Sequence, residues 1–531
     1  MRRAIEHPLA PVLGAILFGL VYLAAAPPTA DMAGHTFRTW LFERDGAVVW
    51  NAQWYGGHHV LGYSLLFMPF SSLLGPALPG VIAGVAATAA FVPLARSSGV
   101  SDGRAAAATW LFAAGMAANV TIGRMPFALG LAFGMLAWLC ADRHWRVSSG
   151  VLALAAVWAS PVAGAFLLLA AVAQASAGGR ARIGSAAWLG LPVLIGGSLL
   201  VALFPEGGPD RFVASAFWPM LAVSVAGLAL IAPRYRQVRA GAVLQVAVLI
   251  AAFVVPTTFG QNALRLAVLL GPPLLVLAAR DRAPRLALVT CGVVLVYLQW
   301  LPAVRAVGES EGDPSTQASF YTGARAFLAH AAKPGERVEV AFTKNHWEAA
   351  RLATEVQLAR GWERQLDQKV NPIFYDDRRF TTERYQYWLK RNAVKWVALP
   401  SAPLDYSAVA EARLLRGNPS FLRLAYSTPQ WKIWEVKDAS PPASDGAQVV
   451  SAGPEGFDVV TRGRTVVRQR YTPYWRATGG CVRRAPGGWT EVDPHGASKV
   501  EVRADFALPL MSHGAACTQS PLNRVRAVST R

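Results

Sequence analysis

No lysine occurs in the first 302 residues of this 531-residue chain. Charge of either sign is scarce there, with 19 arginines and nine acidic residues. The last 229 residues hold 32 Lys plus Arg and 23 acidic residues, so two kinds of chain meet near Pro302. Only 16% of all residues are charged and 53% are hydrophobic, which excludes an ordinary soluble globular protein. No dense basic run accompanies the net charge of +19, which excludes a nucleic-acid-binding protein.

Apolar runs near the ~20 residues that cross a bilayer fill the first half. The expected spans are 8–26, 77–95, 105–121, 126–141, 148–160, 161–176, 184–204, 212–232, 240–256, 263–279 and 286–302. Arginine sets their direction. Fourteen arginines fall in alternate loops, from Arg2 and Arg3 through Arg143, Arg146, Arg180 and Arg182 to Arg285, and five fall in the others. The rich side is the cytoplasmic one. The 29 residues of 148–176 have arginines on both flanks, so they read as two short helices that turn at Ser160–Pro161. Val60–Leu74 would invert every later loop if it crossed, so it lies along the outer leaflet or dips into it. This reading gives about eleven transmembrane helices, a cytoplasmic N-terminus and an extracytoplasmic tail in the plasma membrane.

The domains follow. Residues 1–302 form the membrane domain, with a first outer loop at 27–59, and 303–320 form a linker. Residues 321–437 read as an extracytoplasmic α/β domain, with helices over Tyr321–Ala332 and Thr381–Asn392 and strands at Val338–Phe342, Trp396–Leu399 and Trp431–Val436. A Pro/Ser-rich linker at 438–446 precedes a small β-sandwich-like domain at 447–519, and 520–531 reads as a disordered tail. Cys140 and Cys291 fall in spans as apolar filler. Cys481 and Cys517 are the only cysteines of the tail, and an oxidising compartment predicts a disulfide between them.

The first outer loop carries the densest chemistry: Asp31-Met-Ala-Gly-His35, then Trp50-Asn-Ala-Gln-Trp54-Tyr-Gly-Gly-His58-His59, then Gly62-Tyr63 and Pro69. If Asp31 begins a helix, His35 lies one turn later on the same face. Two later segments face the same side, Gly123-Arg124-Met-Pro126-Phe127 and Pro256…Gly260-Gln-Asn262-Ala-Leu-Arg265. Together these segments resemble the GT-C superfamily of polytopic glycosyltransferases, including actinobacterial members. Tyr471-Thr-Pro473-Tyr-Trp475…Gly479-Gly480 in the tail resembles β modules of related bacterial membrane proteins.

The resemblance implies transfer of a hexose or pentose from a polyprenyl-phosphate donor to an extracytoplasmic glycan, lipid or protein. It implies that Asp31 is the general base, with His35 beside it. A positioned carboxylate is what a weak hydroxyl nucleophile needs. The leaving lipid phosphate needs a fixed cation near the membrane surface. Arg265, alone in an apolar span, and Arg124 are the candidates. Trp50, Trp54, Tyr55, His58 and Tyr63 can face the sugar or acceptor, or the first three can form an interfacial aromatic belt. Asn345-His346-Trp347-Glu348 and Gly361-Trp362-Glu363-Arg364 can meet an acceptor or pack inside the α/β domain.

No cofactor is implied. Family members often carry a second acid, whereas Asp31 stands alone, so a divalent metal stays open without being indicated. Adjacent His58 and His59 point apart in extended chain and show no partner carboxylate. Two rival readings remain, a lipid-linked-glycan transporter and a non-catalytic anchor for a carbohydrate-binding tail. Transporters usually show paired repeats with matching broken helices, and only one break is evident.

Overall fold

Backbone groups inside a bilayer find no water, so apolar runs close their hydrogen bonds within themselves as helices. The computed structural model describes residues 6–506 and residue 517. In chain order, α1 spans Ala10–Ala25, α2 Ala30–Asp45, α3 Phe67–Leu74, α4 Leu78–Arg96, α5 Asp102–Ile122 and α6 Met125–Asp142. Then come α7 at Arg146–Ala159, α8 at Pro161–Ser176, α9 at Arg180–Leu203 and α10 at Ala214–Leu230. Arg236–Val254 forms α11, Leu264–Ala278 forms α12 and Arg285–Ser310 forms α13.

A helix stands at each of the eleven expected spans. Seven (α4, α5, α6, α9, α11, α12 with the turn before it, and α13) are long and apolar enough to cross a membrane. The pair α1 and α2, bent by 79°, makes an eighth if the two are one broken span. The others, α7, α8 and α10, have 14, 16 and 17 residues. The chain is a multi-pass membrane protein. The break between α7 and α8 falls at Ser160–Pro161: proline suits the first position of α8, and Ser160 Oγ accepts from the Ala163 N–H at 3.4 Å. Within Val60–Leu74 only α3 is helical, and its eight residues reach about 12 Å, too short to cross.

The segment that follows α1 is not the loop the sequence suggested. It contains α2, 16 residues long, and a two-stranded hairpin of β1 (Trp50–Asn51) and β2 (His58–His59). The expected seam at Pro302 also shifts. Helix α13 runs on through Ser310, because residues 303–310 contain nothing else that stops a helix. The chain is then fastened by Asp313, whose carboxylate accepts from the Ser315 N–H and Asn345 Nδ2, each at 2.8 Å. The stretch 303–320 is therefore ordered structure rather than a free linker.

The tail begins with α14 (Thr322–Ala331) and a mixed sheet. Strands β3 (Arg337–Val340), β4 (Gln357–Leu358) and β5 (Val394–Pro400) are parallel, with β4 and β5 flanking β3. Strands β6 (Leu422–Ser427) and β7 (Trp431–Val436) add antiparallel pairs, giving the order β4-β3-β5-β7-β6. Short helices α15 (Glu348–Arg351), α16 (Arg364–Val370), α17 (Thr382–Arg391) and α18 (Val409–Arg416) connect them. The second module packs a four-stranded antiparallel sheet against a three-stranded one. The first holds β8 (Gln448–Gly453), β9 (Gly456–Val460), β11 (Trp475–Thr478) and β14 (Lys499–Ala504). The second holds β10 (Thr465–Arg470), β12 (Cys481–Arg484) and β13 (Trp489–Asp493).

The expected 438–446 linker belongs to this module, since Ala443 is buried and bridges Val467, and the Ser444 N–H donates to the Val466 carbonyl at 3.0 Å. Cys481 and Cys517 are joined as a disulfide, with Cα atoms 5.2 Å apart. The stretch 520–531 lies outside the described residues. Trp50 and Ala52 of the segment after α1 are buried in the same cluster as Phe457, Trp475, Val492 and Val502 of the β module.

Candidate functional site

The site is built where α2 begins. Pro27 and Pro28 prevent α1 from continuing, and the chain restarts at Ala30 with Asp31 in the first helical turn. A carboxylate is favourable there, at the positive end of the helix. This turn is interlocked with the one between α5 and α6. Thr29 Oγ1 donates to the Ile122 carbonyl at 3.0 Å, and His35 Nε2 lies 3.0 Å from the Gly123 carbonyl. Gly123 has φ +96°, and a Cβ there would stand 2.9 Å from Thr29 Oγ1 and 3.2 Å from Asp31 Cβ. Only glycine lets the two turns approach so closely. Arg124 is thereby delivered beside Asp31.

The half-buried Arg124 guanidinium feels Arg265, Asp31 and Tyr63, and burial followed by the repulsion of Arg265 brings its pKa down to about 9. It remains a cation at neutral pH. Arg265, at the start of α12, lies in the field of Asp31, Tyr63 and Asp210. Its guanidinium sits 5.3 Å above the Phe127 ring, and Phe127 is braced edge-on by Phe166. Among the described residues neither arginine has an ion-pair partner, and Arg124 Nε is buried without an acceptor. The two arginines share the field of Asp31, with Asp210 also near Arg265, yet neither guanidinium is engaged in an ion pair and their N–H donors stay free. An oxyanion with several acceptor oxygens would satisfy them.

The structure thus brings Asp31, Tyr63, Arg124 and Arg265 together. Of the remaining candidates, His35 stays beside Tyr63, with ring centres 6.1 Å apart, but is sealed in, and the others lie under the tail. His35 is 1% exposed, and burial, with Arg38 adding to it, lowers its pKa to about 3. A neutral ring that donates to Gly123 is a strut for the turn, not a proton carrier.

The aromatics of the loop are covered by the tail rather than open to sugar. Trp54 is fully buried, stacks on Phe37 at 4.3 Å and donates from Nε1 to the Ala349 carbonyl. Tyr55, with φ +61°, donates its hydroxyl to the Gly361 carbonyl and accepts from the Glu363 N–H at 2.9 Å. Trp50 packs edge-on against Trp475. His58 stacks on Trp54 with Nε2 3.9 Å from Glu363, and His59 Nδ1 lies 2.9 Å from Glu206. Each histidine therefore does have a carboxylate, supplied by residues 147 or more positions away, which no local reading of the loop reveals. Tyr63 alone stays open, 41% exposed, with the Arg38 guanidinium 3.9 Å from its ring centre.

Several residues at the site went unread in the sequence. Arg38, 3% exposed, pairs with Glu363. The two tail motifs rich in tryptophan clasp the start of α2. Trp347 Nε1 donates to the Pro28 carbonyl at 2.9 Å, and Trp362 Nε1 donates to the Ala30 carbonyl at 2.8 Å. The tail thus grips two carbonyls in the three residues that lead into Asp31. Behind this clasp, Trp362 stacks on His346 at 3.6 Å, and Arg364 pairs with Asp405 at 2.8 Å. Asp210 completes the rim, accepting from the Gln261 N–H at 3.0 Å. The one group of potential metal ligands among the described residues is Cys481, His495 and Cys517, where the two sulfurs are already bonded to each other.

No protein-family model and no curated protein matches the sequence. Among solved structures the chain is similar to ArnT from Cupriavidus metallidurans bound to undecaprenyl phosphate, with a TM-score of 0.37 and 13% identity over 82% of this chain and 99% of that one. It is also similar to the same protein in the apo state, with a TM-score of 0.36 and 11% identity over 80% and 98%. A likeness at this level carries no argument for activity, which rests on the residues themselves.

Proposed function

We propose that this chain is a membrane glycosyltransferase that moves a sugar from a polyprenyl-phosphate donor to a hydroxyl of an extracytoplasmic glycan, lipid or protein. The observation that carries the reading is the couple Arg124 and Arg265, without an ion-pair partner among the described residues, next to the carboxylate of Asp31. Asp31 takes the proton of the acceptor hydroxyl as its oxygen attacks the anomeric carbon. The bond from that carbon to the phosphate oxygen breaks, and the two guanidinium groups hold the charge that develops on the lipid phosphate. A single displacement inverts the anomeric centre. The tail acts on the reaction by fixing Asp31 through Trp347 and Trp362. In this reading the arginine-rich ends of the helices face the cytoplasm, and the tail and the site face outward.

The transporter reading draws on a different observation, a large cavity that runs from the arginine-rich ends of the helices. Among the described residues that line it, none is Asp31, Tyr63, Arg124 or Arg265.

The test is transfer from radiolabelled polyprenyl-phosphate sugars by purified full-length protein in lipid vesicles. Asp31→Asn is expected to lower kcat by roughly a hundredfold or more, within the range of general-base catalysis, while the thermal midpoint stays unchanged. Arg265→Ala is expected to weaken donor use. A fully active Asp31→Asn protein overturns the mechanism. Movement of the labelled lipid across the bilayer with its glycosidic bond intact supports transport instead.

A further inference from the structure

From the arginine-rich ends of the helices a cavity of about 710 Å³ runs between α6, α8, α10, α11 and α12 as far as Leu266, the residue after Arg265. That size is typical of a site for a small molecule or a lipid chain. Its depths are apolar, lined by Met135, Phe166, Leu270, Leu274 and Leu295. Its mouth is polar and more cationic than acidic, with Arg182, Arg234 and Arg236 exposed around it and Asp142 the acidic residue in its lining. Arg234 is occupied by Asp281 at 2.7 Å. Arg182 reaches only the Ala177 carbonyl, at 3.5 Å, and Arg236 has no ion-pair partner among the described residues.

Two helices start at this mouth. Helix α9 begins at Arg180 and α11 at Arg236, and neither has a side-chain cap or an acidic residue in its first turn. Their free N–H groups and positive dipole ends add to the arginines and favour an anion. A second observation is independent of the helix ends. Gln174 Oε1, Ser224 Oγ and Gln245 Oε1 are buried without a hydrogen-bond partner, and all three residues line the cavity. Gln245 is only 6% exposed. Buried polar atoms are normally satisfied, so three of them on residues that line one cavity mark a space that a ligand and its water fill.

We propose that this cavity seats an anionic diacyl phospholipid, its phosphate at Arg182, Arg236 and the two helix ends, and an acyl chain in the apolar well. A soluble anion would leave the well unfilled, and a neutral lipid would leave the mouth unbalanced. Helix α12 forms one wall of the well and carries Arg265 at its other end, so the seated lipid braces the helix that presents that arginine. The proposal rests on the membrane fold and not on the transferase reading.

The experiment is native mass spectrometry and thermal unfolding of the full-length protein, delipidated in detergent and titrated with phosphatidylglycerol or phosphatidylcholine. Phosphatidylglycerol is expected to be retained and to raise the midpoint, while phosphatidylcholine does neither. Arg182→Ala with Arg236→Ala, both surface positions, is expected to weaken phosphatidylglycerol binding by roughly tenfold or more, as loss of charge-assisted contacts does. Leu274→Trp, which fills the well, is expected to abolish retention. Equal binding of the two lipids, retention untouched by both variants, or a polyprenyl phosphate retained in place of phospholipid would each overturn the proposal.

Discussion

Gly123 is a residue whose replacement separates strain from crowding. Gly123→Ala must accept both φ +96° and a Cβ 2.9 Å from Thr29 Oγ1, whereas Gly46→Ala, at φ +76°, meets nothing within 4 Å. Both lose about 1 kcal/mol or more to the left-handed backbone. Only Gly123→Ala is expected to reduce sugar transfer beyond its loss in thermal stability, because its methyl group pushes on the turn that carries Asp31. Equal losses of transfer in the two variants would refute the interlocking of these turns as a functional feature. At this scale part of the site was legible. A carboxylate just past the first apolar run, and an arginine inside a later one, are costly unless used, and the fold brings Asp31, Arg124 and Arg265 to one place. Arg38 was read only as a loop charge, since its partner Glu363 lies 325 residues away.

Among elements, the mixed sheet of the tail carries an unusual load. Glu339 on β3, Asp367 on α16 and Glu411 on α18 are all fully buried, and Arg360 is the cation among them. Burial raises Glu411 from 4.5 to about 7, despite the attraction of Arg360 and a hydrogen bond donated by the Tyr385 hydroxyl. Burial likewise raises Glu339, and the charge of Glu411 raises it further. An acid raised on folding binds more protons in the folded state, so the stability that Glu411 contributes is present below a pH of about 4.5 and is lost as pH rises to about 7. The full-length protein in detergent is expected to lose on the order of a kcal/mol or more across that window, followed by tail tryptophan fluorescence. Glu411→Gln should flatten the slope. An unchanged slope in that variant would place the titration elsewhere.

Element positions were readable where apolar period and proline agree, as at Ser160–Pro161 and in strands β5 and β7. Helix α2 was not, because its sequence, Ala-Asp-Met-Ala-Gly-His-Thr-Phe-Arg, has neither a bilayer-length apolar run nor a clean amphipathic period. Its stability comes from packing under the tail.

For the whole molecule, the division into a membrane half and a tail is visible in composition yet misleading in structure. The tail does not hang from the last helix. The Leu358 N–H donates to the Gln53 carbonyl, the Arg470 N–H to the Gly56 carbonyl, and the Ala52 N–H to the Pro454 carbonyl. Residues 1–310 alone would expose the apolar faces of Trp50, Trp54 and Tyr55. That fragment is expected to elute as aggregate and to be cut by protease between α2 and α3, where the full-length protein resists. A monodisperse, protease-resistant fragment would show that the segment after α1 folds without its cover. Such pairings escape sequence reasoning because nothing local marks a backbone group whose partner lies hundreds of residues ahead.

That distance also has a meaning in time. Gln53 hydrogen-bonds the Ala353 carbonyl, 300 residues later in the chain. At about 5–20 residues per second of synthesis, the hairpin waits roughly 15–60 seconds before its partner exists. During that interval a tryptophan-rich hairpin is uncovered and unable to finish folding. It has to be sheltered by the lipid surface or by a chaperone, and a part of the chain made much later completes the first part of the site.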